Sequence, residues 1–179
     1  MRRAAVLALL AALALAGVAA GCGEDEEEEH HAVEGETLEL GDLEYRVELT
    51  RFLNPDDLED SEYLVDQPAL PENSSYLGVF LTILSGNDDD SLPSASDYVV
   101  TDIRGGHYEP VPSESPYALD IGGIVPPDGQ LPLPDSTAAN GPARGGLLVF
   151  EVEDIIIDSR PLLLEVESDE GGGEIQLDI

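Results

Sequence analysis

Tyr76-Leu77-Gly78-Val79-Phe80-Leu81-Thr82-Ile83-Leu84 is apolar or aromatic at nearly every position. In an extended chain, Leu77, Val79, Leu81 and Ile83 share one face, and Tyr76, Gly78, Phe80, Thr82 and Leu84 share the other. Both rows are suited to cover, which predicts a strand in the middle of a sheet. Ser85-Gly86-Asn87-Asp88-Asp89-Asp90-Ser91 follows with the residue types of a turn.

Upstream, Leu43, Tyr45, Val47 and Leu49 alternate with Glu44, Arg46, Glu48 and Thr50, the period of a half-buried strand, and Leu38 and Leu40 extend the pattern before Gly41-Asp42. The acidic, proline-bearing residues 54–74 read as a long surface loop that Tyr63 and Leu64 pin to the core. Downstream, residues 98–103 form a strand, Gly105-Gly106 turns the chain, and His107-Tyr108-Glu109 returns as a hairpin partner. Residues 110–142 are rich in proline and glycine, which places them at an edge or in loops, with short extended pieces near 118–121 and 131–133. The sheet resumes at 147–153, and the apolar runs 155–157, 162–166 and 175–179 complete it. No segment sustains a helical period. About eight or nine short strands at this spacing predict an all-β, antiparallel sandwich or barrel formed by one domain over residues 35–179.

The N-terminus has a separate logic. Eighteen apolar residues, 4–21, lie behind Arg2 and Arg3 and end in Ala19-Ala20-Gly21-Cys22, which holds the only cysteine. A basic start, an apolar middle and small residues before a thiol predict a lipoprotein signal peptide over 1–21, cut so that Cys22 becomes the lipidated N-terminus. The stretch also touches the lower length limit of a membrane-spanning helix. Its richness in alanine makes it weakly hydrophobic and favours the signal reading. Residues 22–34 then read as an acidic, disordered tether, because Glu24-Asp25-Glu26-Glu27-Glu28-Glu29 repels itself and has nothing to bury. The expected location is the extracytoplasmic face of the cell membrane, with the membrane engaged through lipidated Cys22.

Charge narrows the partners. The chain carries 39 acidic residues against 7 basic ones, for a net charge of -32. Loss of Arg2 and Arg3 with the signal would leave five arginines against the same 39 acids, a net -34. Nucleic acid is excluded, because such a surface repels phosphates.

Against this background the chain resembles the secreted lipoprotein domains of unknown function that carry a telokin-like immunoglobulin sandwich. The resemblance is carried by Gly35-Glu36-Thr37, Tyr45-Arg46-Val47, the stretch 76–83, residues 98–102, Gly106-His107-Tyr108, Pro126-Pro127-Asp128-Gly129 and Gly146-Leu147-Leu148-Val149-Phe150-Glu151-Val152. It implies an immunoglobulin-like sandwich tethered to a surface, and it brings no assigned catalytic residue.

The chemistry-bearing residues also have simpler roles open to them. Asn87-Asp88-Asp89-Asp90, and Asp56-Asp57 with Asp60, offer oxygen ligands to calcium, but the glycine and glutamate of an EF-hand loop are missing, so solvated turns are expected. His30 and His31 could take zinc or copper, yet adjacent histidines on a tether have no fixed geometry. His107, with Asp102, Ser113 and Ser115, is the one arrangement open to nucleophilic catalysis, and no Gly-x-Ser-x-Gly elbow accompanies it. Gly171-Gly172-Gly173 lacks the lysine of a phosphate cradle. The expectation is a non-enzymatic module, with no catalytic residue, metal or cofactor, that binds a protein, polymer or ion through its loops. The alternative is a secreted hydrolase or calcium-dependent regulator using those acidic loops.

Overall fold

The stretch 76–84 lies within β4 (Ser74–Ser85), which runs antiparallel between β3 (Leu43–Leu53) and β10 (Gly146–Glu153). The computed structural model describes residues 30–179. The predicted central position of this strand is therefore the one found. Beyond β3 lies β2 (Leu38–Leu40), and the last residues of β4 pair with β9 (Gln130–Leu131), giving a sheet in the order β10-β4-β3-β2 with β9 at its side. The facing sheet runs β1 (His30–Val33), β12 (Gly171–Leu177), β11 (Leu162–Ser168), β6 (Asp97–Asp102), β7 (His107–Tyr108). A two-stranded ribbon of β5 (Leu92–Pro93) and β8 (Ile124–Val125) completes the all-β sandwich.

Alternation along β4 builds two cores. Leu77, Val79, Leu81 and Ile83 face the second sheet and pack in one cluster with Val47, Phe150, Val100, Leu164 and Ile175. Tyr76 and Phe80 face the opposite way and join Leu53, Leu147 and Val149 under a layer of loops that supplies Tyr63, Leu64, Tyr117 and Ala138. The Tyr63 ring meets Phe80 and Tyr117 edge-on, at centroid distances of 5.3 and 4.8 Å. Tyr63 and Leu64 pin the 54–73 loop as expected.

Four features depart from the sequence reading. A β-bulge falls between Val47 and Leu49, so the strand switches faces: Leu49 pairs with Phe80 and packs in the outer core, while Thr50 is 4% exposed and turns inward. Residues 155–157 do not form a strand, because Asp154–Asp158 is a 3-10 turn that buries only Ile156. A single helical turn, Thr137–Asn140, occurs in the proline-rich segment, capped by the Ser136 hydroxyl, which accepts the Ala139 N–H.

The fourth correction concerns the tether. Its expected end at residue 34 is too late, because His30–Val33 is a strand paired in parallel with β12, from His30↔Gly173 to Val33↔Gln176. Ala32 is buried within the inter-sheet core. Gly173 makes room for this approach, since a Cβ there would come within 2.8 Å of Leu38 Cδ1 and 2.9 Å of the His30 carbonyl oxygen. Glu34 then fastens the end: its carboxylate accepts the N–H of Thr50 at 3.1 Å and of Asp178 at 2.9 Å, joining both sheets. The signal region 1–21 and the acidic residues 22–29, Cys22 included, lie outside the described residues. Among the described residues, no helix is long and apolar enough to cross a membrane.

Candidate functional site

Four turns converge at one pole of the sandwich. The β2–β3 turn, Gly41-Asp42, accepts Gly86 N–H on the Asp42 carbonyl at 2.9 Å and Asn87 Nδ2–H on the Asp42 carboxylate at 3.0 Å. The loop after β4 is joined in turn to Pro126-Pro127-Asp128-Gly129: Asp128 N–H donates to the Asn87 carbonyl at 2.8 Å, and Ser85 N–H to that of Gly129 at 2.9 Å. The β11–β12 turn approaches from the other sheet, with Glu170 lying against Gly41. A Cβ on Gly41 would come within 2.9 Å of Glu170 Cγ, and its φ of +59° also suits glycine.

These turns expose seven carboxylates: Asp42, Asp88, Asp89, Asp90, Asp128, Asp169 and Glu170. None of the four contributes an arginine. Between Gly41-Asp42, β5 and residues 168–170 lies a pocket of about 210 Å³ floored by Leu40, Leu43, Leu92 and Pro93. The opposite pole carries both signs, with exposed Glu153, Asp154 and Asp158 as well as arginines. There Ile103, Ile155 and Ile157 are exposed beside Arg104 and Arg160, Arg104 Nη2 lies 3.7 Å from Glu153 Oε2, and Ile103 N–H donates to the Ser159 carbonyl at 3.3 Å.

The sequence candidates separate into those at this pole and those used elsewhere. Residues 88–90 belong to the pole, on a loop organised by Asn87, whose side-chain oxygen accepts the N–H of Asp89 at 3.0 Å and of Asp90 at 2.7 Å. Asp60 is elsewhere and is 4% exposed, held by both terminal nitrogens of Arg51 and by the Asn54 N–H at 2.8 Å. Burial pushes its carboxyl up, but the Arg51 hydrogen bonds, the Asn54 amide and the Arg51 charge together hold it below the usual carboxylate value. Asp56 and Asp57 remain on the exposed loop around it.

The four groups open to nucleophilic catalysis are dispersed. Asp102 accepts the N–H of Gly106 at 2.9 Å and of Arg104 at 2.8 Å, which holds its carboxyl below the ordinary value against a smaller opposing effect of burial. His107 pairs with Thr101, the position next to Asp102, and so takes the other face of that sheet. The Ser115 hydroxyl donates to the Glu62 carbonyl at 2.7 Å in the loop layer, and Ser113 Oγ accepts the Ser115 N–H at 3.2 Å. Asp102, Ser113 and Ser115 each brace a turn, and His107 shares none of these contacts. His30 and His31 alternate across β1, and His31 Nδ1 lies 3.8 Å from Glu174 Oε2 with both side chains about half exposed. Among the described residues, no three His, Cys, Asp or Glu side chains are placed to hold one metal ion. Gly171-Gly172-Gly173 opens β12 and admits β1.

Sequence reasoning missed the pocket, the Glu34 clamp and the Arg51–Asp60 pair. The first arises from two turns and strand β5, spread over residues 40–170, and the other two are contacts of single side chains, so none leaves a periodic trace.

No family model matches the chain, and no curated protein matches it. Solved structures do resemble it in fold. The secreted protein MPT63 from Mycobacterium tuberculosis aligns with a TM-score of 0.54 at 12% identity, over 84% of this chain and 98% of that one. An uncharacterized β-sandwich protein from Clostridium difficile gives 0.52 at 14% identity, over 84% and 95%. The yjhA protein of Bacillus subtilis gives 0.51 at 15% identity, over 83% and 99%. At these identities the likeness establishes a shared β-sandwich and leaves activity to be argued from the site.

Proposed function

We propose that this chain is a lipid-anchored lipoprotein of the extracytoplasmic face, whose immunoglobulin-like sandwich is a non-catalytic module that binds a partner at its acidic pole. The observation that carries the binding part is the gathering of four turns at one pole, with seven exposed carboxylates and no arginine, two of those turns lining an apolar-floored pocket together with β5. Loops at the end of a sandwich are suited to recognition, because the sheets fix their bases while their tips stay exposed. Asp102, Ser113 and Ser115 are each engaged in holding a turn and His107 takes the other face of the sheet from Asp102, which supports a non-enzymatic reading over a hydrolase. The anchor rests on Ala19-Ala20-Gly21-Cys22 and agrees with the secreted nature of MPT63, a protein of similar fold.

Two measurements test the proposal. Two acyl chains suffice for stable anchoring where one is marginal, so Cys22→Ser should abolish labelling by radioactive palmitate and move the protein from the membrane fraction to the soluble one. Retention in the membrane at the wild-type level would sink the anchor. For the binding module, a photo-crosslinking amino acid replaces Asp89 at the acidic pole or Ile157 at the other, in intact cells. The proposal expects a discrete adduct from position 89 and none from 157, and equal adducts, or adducts from 157 alone, would overturn it.

A further inference from the structure

We infer that the pocket at the acidic pole grips one long cationic side chain, a lysine or arginine, of a partner protein. This rests on the binding-module reading and specifies what the module holds. Size decides first. At about 210 Å³ the pocket falls below the roughly 300–1,000 Å³ typical of sites for drug-sized ligands and cofactors, so it suits a single side chain.

The lining decides the chemistry. Leu40 and Leu43 are core residues whose edges line the pocket, and half-buried Leu92 with Pro93 adds to them, so its floor is apolar. Asp42, Asp169 and Glu170 line it as well, and each is exposed. Of these, Asp42 already accepts from Asn87, whereas Asp169 and Glu170 lie on a turn with no basic residue in the pocket lining. An aliphatic stem ending in a permanent cation matches this arrangement. The methylenes leave water against the leucines and proline, while the charged end stays at the carboxylate rim, where it keeps part of its hydration. A neutral apolar side chain would leave the carboxylates unanswered, and a compact inorganic cation would leave the apolar floor unused. The surrounding carboxylates of residues 88–90 and Asp128 extend the negative field beyond the pocket, which speeds the encounter with a basic surface and makes it dependent on salt.

The test uses the full-length chain, labelled with nitrogen-15 and held in nonionic detergent, titrated at low salt with Nα-acetyl-lysine methylamide, its arginine counterpart and Nα-acetyl-norleucine methylamide. Saturable shifts confined to the amides of Gly41, Asp42, Leu92 and residues 168–170 are expected with lysine or arginine. Norleucine, which keeps the stem and lacks the charge, should bind about three- to tenfold more weakly, as should the cationic probes to the Asp169→Asn/Glu170→Gln double variant, since exposed charge pairs contribute only about 0–1 kcal/mol each. Both positions are exposed on a turn, and unchanged amide shifts in β4 verify that the fold persists. An Asp56→Asn/Asp57→Asn variant controls for general charge and should bind as wild type. Non-saturating shifts spread over the surface, equal binding of norleucine, or equal weakening by the control variant would each overturn the proposal. If crosslinking from position 89 persists alongside such a result, the pocket assignment fails and the binding module stands.

Discussion

Leu81 and Phe80 are neighbours on β4 and neither has exposed surface, yet they are covered by different means. Leu81 meets a second sheet, whose strands bring their own alternating rows of Val, Leu and Ile. Phe80 meets irregular chain, and that cover is tied down by polar contacts. Tyr76 O–H donates to the Pro68 carbonyl at 2.7 Å, Ser115 O–H to that of Glu62 at 2.7 Å, Gln67 Nε2–H to that of Pro112 at 2.7 Å, and Arg51 grips Asp60. A loop has no ladder to satisfy its backbone, so side chains must complete the hydrogen bonding that a sheet obtains from its neighbour. One core is thus closed by pattern and the other by individual contacts, and the two should fail differently.

The largest expected effect is from Leu81→Asp, which places an unpaired charge between the sheets. A loss of about 5 kcal/mol or more, comparable to the whole stability of a small domain, should unfold the chain. On the other face, Phe80→Ala should cost about 3–5 kcal/mol and act first on the loop layer. Hydrogen exchange reads the difference. The amides of residues 60–67 should lose protection in Phe80→Ala while those of β11 and β12 keep it. Simultaneous loss in both regions would mean that the two cores unfold as one.

Asp60→Asn sharpens the comparison through pH. Arg51 is left about a third exposed and without its counter-ion, a loss on the order of 1.5–3 kcal/mol at neutral pH. The sign follows from the depressed native pKa of Asp60. Its contribution is fully present above the unfolded value of about 3.9 and disappears as pH falls through the lower, native value. The gap in melting temperature between wild type and Asp60→Asn should therefore narrow as pH falls below about 4. Asp102 is depressed as well, but it is common to both proteins and cancels in the difference. A gap that stays constant from pH 7 to 3 would remove the ion pair from the account. The smallest effect is from Tyr76→Phe, which deletes one hydroxyl bond to Pro68 and should cost about 0.5–1.5 kcal/mol in denaturant melts. A cost near that of Phe80→Ala would show that the bond does more than fasten the loop.

The same contrast explains what was legible in the sequence. The rows 77/79/81/83 and 148/150/152 repeat at a period of two, so the sandwich, its central strand and the inter-sheet core could be read directly. The bulge at Glu48 could not, because the residues on either side of it alternate equally well in both registers until the partner strand fixes one. Nor could β1, since His30-His31-Ala32-Val33 follows an acidic run and has one buried side chain, and its place depends on an edge that forms more than 140 residues later. Of the acidic turns at the pole, only Asn87-Asp88-Asp89-Asp90 reads from the sequence as a solvated acidic loop. Their assembly into one pole around a pocket is a property of the packed sheets and has no counterpart in local spacing.

The pairing of β1 also bounds how far the sandwich could stand from an anchor at Cys22. Strand β1 starts at His30, opposite Gly173, so the chain enters the sandwich at the end that carries the Ser168-to-Gly171 turn. If Cys22 is the anchor, eight residue steps lead from it to His30, a leash of at most about 26–29 Å where one running to Glu34 would have reached about 40 Å. Such a leash would join the fold at the corner beside the acidic pole, so on the proposed anchoring that pole would be the part of the sandwich nearest the lipid. On that arrangement a basic partner gripped at the pocket would be held close to the membrane, and the protein would act as a doorstop and not as a flag.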